Sequence, residues 1–134
     1  MATAAQIKQE FLDLYNEQVE KHNATPESDR SYYWYDADPA DSFSEALVGT
    51  GDIEGLYDQI GYGDGVVLPS GKVEIVKQWG GGDGGDITAI LGIGGQYFQL
   101  TGYYSSWDGN DFNDTVIEVE PKEVTVVRFF PKKG

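Results

Sequence analysis

Hydrophobic and polar positions change their period halfway along the chain. With 100° per residue counted from Glu10, the acids Glu10, Asp13, Glu17 and Glu20 fall within an arc of about 80°. Ile7, Phe11, Leu12, Leu14, Tyr15 and Val19 occupy a separate arc. This spacing predicts an amphipathic helix over residues 3–22, stopped by Asn23 and by Pro26 shortly after. Residues 24–39 are polar but carry Tyr32, Tyr33, Trp34 and Tyr35, too aromatic for a simple linker, and read as an ordered loop or short strand laid against the core. A short helix is predicted over 39–47, with Asp38 as N-cap and Pro39 at the first helical position. A second is predicted over 53–60, ended by Gly61, Gly63 and Gly65.

The remainder reads in period two. Val73, Ile75 and Trp79 alternate with Glu74 and Gln78, and Ile87, Ala89, Leu91 and Ile93 alternate with Asp86, Thr88 and Gly92. Gly94-Gly95 is a two-residue hairpin turn, which sets Leu91 opposite Phe98, Ala89 opposite Leu100 and Thr88 opposite Thr101. Residues 115–120 and 123–130 form another pair of strand-like runs. A tight turn at Pro121-Lys122 would bring Val119 to Val124 and Ile117 to Val126, at the cost of Glu120 facing Glu123. The predicted fold is α+β: one domain over 1–134, an antiparallel sheet of four to five strands with the N-terminal helix packed on one face.

Charge follows the same division. Residues 1–65 hold 14 acids and 3 bases, residues 66–134 hold 9 acids and 6 bases, and the whole chain carries −14. Nucleic acid and anionic membrane are therefore disfavoured as direct partners. The absence of cysteine removes disulfides, thiolate metal sites and cysteine nucleophiles. No apolar run approaches the roughly 20 residues of a membrane span. The first residues lack the basic and apolar regions of a signal peptide, so a cytoplasmic location is expected.

Candidate chemistry is thin. Gly81-Gly82-Asp83-Gly84-Gly85-Asp86 matches the start of a calcium-binding nonapeptide, but that motif works through stacked copies and occurs once here, with Thr88 where a large apolar residue belongs. Asp108, Asn110, Asp111 and Asp114 offer oxygen ligands, yet Phe112 and the missing glycine and glutamate break the EF-type pattern, so a loop between strands is expected instead. No P-loop or dinucleotide fingerprint is present, and His22, the single histidine, reads as a helix-end residue rather than a base. Neither cofactor nor metal is expected, and no catalytic residue is assigned.

The sequence Val76-Lys77-Gln78-Trp79-Gly80-Gly81-Gly82-Asp83-Gly84-Gly85-Asp86, the alternating hairpin, Gly102-Tyr103-Tyr104-Ser105-Ser106-Trp107-Asp108-Gly109 and Glu118-Val119-Glu120-Pro121 together resemble small proteins encoded by tailed bacteriophages and prophages. The resemblance covers some 45 to 55 residues of the second half, and the Gly-Tyr-Tyr-Ser-Ser-Trp-Asp-Gly segment is its most specific part. It implies a phage context and supplies no catalytic residues.

Two classes of function follow. The first is a non-enzymatic accessory protein that binds a basic surface on a host protein, as a nucleic-acid mimic directed at a nuclease, a defence complex or a polymerase. Its contact residues would be Glu10, Asp13, Glu17 and Glu20 on the helix, with Tyr103, Tyr104, Trp107 and Asp108 at a hairpin end. Helical acids three or four apart are separated by roughly 4.5–6 Å along the axis, close to phosphate spacing. The second class is a virion or assembly component acting through its sheet. Against both stands the plainer reading that the acids are a solvated face and the aromatics part of a small core.

Overall fold

A computed structural model describes residues 1–30, 35–51, 53–80, 85–105 and 109–133. The N-terminal helix, α1 (Ala4–Ala24), is capped by the Thr3 hydroxyl, which accepts from the amide of Gln6, and it buries Ile7, Phe11, Tyr15 and Val19. Two six-residue helices follow, α2 (Phe43–Val48) and α3 (Leu56–Gly61). Among the described residues five strands complete the fold: β1 (Val66–Leu68), β2 (Gly71–Gly80), β3 (Gly85–Ile93), β4 (Gln96–Ser105) and β5 (Gly109–Val119). They form one antiparallel meander in the order β1-β2-β3-β4-β5.

α1, α2 and α3 lie on the same face of the sheet. α1 touches β1 and β5, α2 touches β5, and α3 touches β1 and β2. Between the layers sits a single core in which Phe11 meets Phe43 edge-on at 5.5 Å, while Leu91, Phe98, Leu100 and Phe112 are fully buried. The α+β fold with an N-terminal helix over an antiparallel sheet is thus the one the periodicity predicts. The β3–β4 hairpin also has the expected register, with Leu91 opposite Phe98, Ala89 opposite Leu100 and Thr88 opposite Thr101. Gly94 and Gly95 adopt φ of 57° and 84°. Two successive positive φ values make the turn whose twist matches the flanking strands.

Several local expectations are corrected. The helix predicted over 39–47 starts only at Phe43, because Asn16 on α1 holds the preceding backbone out of the helix. Its Nδ2 donates to the carbonyl of Ala40 at 3.1 Å, and the Ala40 amide donates back to Oδ1 at 2.8 Å. Asn23 grips Ala37 in the same two-bond way, at 3.0 and 2.7 Å. Ser42 rather than Asp38 is the N-cap, its side chain accepting from the amide of Glu45 at 3.2 Å. The helix predicted over 53–60 likewise begins late, at Leu56, after a buried Gly55 whose Cα lies so close to the Leu47 carbonyl that a Cβ would meet it at 2.3 Å.

In the sheet, the register slips between Ile75 and Lys77. This bulge reverses the alternation, so Trp79 faces away from the helices with 45% of its surface exposed instead of joining Val73 and Ile75 in the core. The segment expected to be a loop up to residue 114 is already strand: β5 starts at Gly109 and buries Phe112 completely. Finally, residues 123–130 are not a strand, and no hairpin turn forms at Pro121-Lys122. A two-residue β-hairpin needs positive φ at its first central position, and proline is locked near −65°. β1, which the periodicity did not single out, takes the fifth place.

Candidate interaction surface

The four acids of α1 differ in what they do. Glu10 is half-buried and its carboxylate accepts from the Ser70 amide at 2.8 Å and the Ser70 hydroxyl at 2.7 Å, tying α1 to the β1–β2 turn. Asp13 is exposed and accepts from Gln9 Nε2 at 2.8 Å. Glu17 forms an exposed ion pair with Lys21 at 3.1 Å, and Glu20 is exposed. The outward-facing acids of the helix are therefore three. They belong to a wider field: of the 14 acids in residues 1–65, 12 are exposed, the others being Glu10 and Asp52, which lies outside the described residues.

Little positive charge opposes that field. Arg30 is buried, donating through Nε to the Thr25 carbonyl at 2.8 Å and through Nη2 to Asn23 O at 3.1 Å and Asp36 at 3.0 Å. Its guanidinium serves to fold the loop after α1. Lys21 is drawn to Glu17, and Lys8 is half-buried beside an open cleft of about 380 Å³ that also includes Asp114.

The aromatic group predicted at the hairpin end is only partly in view. Tyr103 is half-exposed on the sheet face opposite the helices, flanked across the strands by Asp86 and Asp111. Tyr104 is half-buried, and Trp107 and Asp108 lie outside the described residues, as do Tyr32, Tyr33 and Trp34. Tyr103 and the acids of α1 thus sit on opposite sides of the sheet and do not form one surface. The outer face itself is more apolar than its sequence suggests: Val76, Trp79, Tyr103 and Ile117 each expose about half of their surface, with Lys77 Nζ 5.3 Å from the Trp79 ring. The alternation predicts Trp79 on the face of Val73 and Ile75, because nothing local announces the bulge that turns it outward.

His22 Nε2 lies 2.8 Å from the carbonyl of Tyr35, a helix-end contact. Tyr57 is buried beside Phe112 and hydrogen-bonded to Gln78 Oε1. Burial, with Tyr62 and Asp58 nearby, pushes its phenol up to about 12. Among the described residues no three His, Cys, Asp or Glu side chains are placed to hold a metal ion, and no helix is long and apolar enough to cross a membrane. Asp83 and Asp108, members of the two loop motifs, lie outside the described residues.

What these features define is an α+β protein with an acidic helical side and an open, half-apolar sheet face. No family model, curated protein or solved structure matches the chain.

Proposed function

We propose that the protein is a non-catalytic binding protein that acts in the cytoplasm of a phage-infected cell by occupying a basic surface of a host protein. The observation that carries this reading is the set of 12 exposed carboxylates in the first half, against which Lys21 and Arg30 are already engaged with Glu17 and Asp36. Such a field accelerates encounter with cationic surfaces and repels nucleic acid itself. Proteins that handle nucleic acid, such as a nuclease, a defence complex or a polymerase, carry surfaces of the matching sign. Asp13, Glu17 and Glu20 would supply the helical contacts, whereas Glu10 is engaged with Ser70.

The test is a capture from bacterial lysate followed by calorimetric titration of the captured protein. The variant Asp13→Asn/Glu17→Gln/Glu20→Gln should bind at least tenfold more weakly and with a shallower salt dependence. Unchanged affinity would overturn the reading. A second reading, an assembly component acting through its sheet, is favoured by the uncovered face around Trp79 and Tyr103. In that case Trp79→Ser would abolish assembly while leaving the acidic variant unaffected.

A further inference from the structure

The segment after β5 differs from the body in every physical respect. Residues 121–133 are exposed throughout and form no helix or strand, yet they contain Val124, Val126, Val127, Phe129 and Phe130, each at least 66% exposed. Six of the eight residues from 123 to 130 are β-branched or aromatic, the composition of a strand rather than of a solvated tail. The charge is also reversed: residues 121–134 hold four of the nine bases and one of the 23 acids, a net +3 against −17 for residues 1–120.

Next to this segment lies an open edge. Among the described residues β5 is the outermost strand, paired only with β4. Its first part is covered by α2, where the Ser44 hydroxyl donates to the Phe112 carbonyl and the Ser44 amide to Asp114. Residues 115–119 have no strand on their outer side among the described residues. The tail cannot close on this edge through a tight turn within its own chain, because Pro121 excludes the turn and the register would face Glu120 with Glu123.

We propose that residues 122–127 add as an antiparallel strand to the outer edge of β5 in a second copy of the chain, reciprocally, with a two-fold axis at Pro121. Pairing between chains permits a register that a hairpin cannot reach. With Pro121 opposite its own symmetry mate, Glu120 faces the partner's Lys122 instead of a glutamate, and Val116 faces the partner's Val126. Val116 is a core-side residue with only 9% exposure, so Val126 continues the apolar face of the sheet. Ile117, half-exposed on the outer face, meets the partner's Thr125. The open part of both β5 edges and the apolar residues Val124, Val126 and Val127 of both tails are consumed in one closed, isologous contact, and each cationic tail crosses onto the anionic body of the other copy. The inference rests on the edge and the tail and is independent of the acidic-surface reading.

The experiment is sedimentation velocity on the full chain over a concentration series, beside the full-length Val126→Asp variant. Val126 is exposed in the single chain, so its substitution leaves the core intact. The wild type should sediment as a dimer, and Val126→Asp should raise the dimer dissociation constant at least tenfold. The register is read by oxidation of cysteine pairs, the native chain having no cysteine. Ile117→Cys/Thr125→Cys should form disulfides between chains, whereas an intrachain disulfide in Ile117→Cys/Val126→Cys would show the hairpin and overturn the proposal. A monomer at the highest attainable concentration, an open polymer, or a dimer indifferent to Val126→Asp would each overturn it as well. A monomeric result would leave the binding reading standing, because that reading is tested on α1.

Discussion

Replacing Asn16 by alanine isolates the device that keeps the chain before α2 out of the helix. The side chain makes two hydrogen bonds to one residue, Ala40, which is 4% exposed. Each is worth about 1 kcal/mol net, and stranding the buried Ala40 amide and carbonyl adds a further cost of the order of 1 kcal/mol. Alanine's better helix propensity returns about 0.5 kcal/mol. The expected loss is therefore about 2 to 3 kcal/mol. With an unfolding entropy of about 2.1 cal/mol/K per residue, a 134-residue chain loses roughly 7 to 10 °C in Tm. Urea unfolding should show a lower midpoint at unchanged slope, since the surface exposed on unfolding is the same. Asn16→Asp sharpens the test: the carboxylate can still accept from the Ala40 amide but cannot donate to the carbonyl. That variant should regain stability as the pH falls and the acid becomes protonated, the opposite of a salt-bridged carboxylate. A loss below about 0.5 kcal/mol for Asn16→Ala would refute the clasp as the reason α2 starts late.

Further outcomes follow from the same structure. Glu10→Ala should destabilise by about 1 to 2 kcal/mol in chemical denaturation, through loss of two hydrogen bonds to a charged acceptor, whereas exposed Asp13→Ala should stay within about 0.5 kcal/mol. Millimolar calcium should leave Tm unchanged in differential scanning calorimetry, since a ligand bound only by the folded state would raise it. The Tyr57 phenol, held near 12 in the folded chain, should ionise well above the ordinary tyrosine value of about 10, and a spectrophotometric titration of wild type against Tyr57→Phe should show this. Because the unfolded state loses that proton near pH 10, this contribution to stability is complete below about pH 10 and is lost as the pH rises through 12.

Much of the architecture was legible in the chain because it depends on local periodicity. α1 follows from the 3.6-residue spacing of Ile7, Phe11, Tyr15 and Val19, all of them buried. The central hairpin follows from two glycines flanked by runs in period two, since a one-residue slip would turn every apolar side chain to the wrong face. What the tertiary structure decided are matters of long-range partnership. Whether an acid on α1 is a surface charge or an anchor depends on Ser70, 60 positions away, and that contact removes Glu10 from the exposed row. Asn16 and Asn23 look like ordinary polar residues until Ala40 and Ala37 lie beside them. The bulge after Ile75 sends Trp79 to the outer face, and the strand-like run at 123–130 stays out of the sheet because a proline stands where the turn needs positive φ. Hydrophobic pattern determines which residues leave water together; which surface then receives them is settled only when distant segments meet, and the candidate interaction surfaces of this protein are of that second kind.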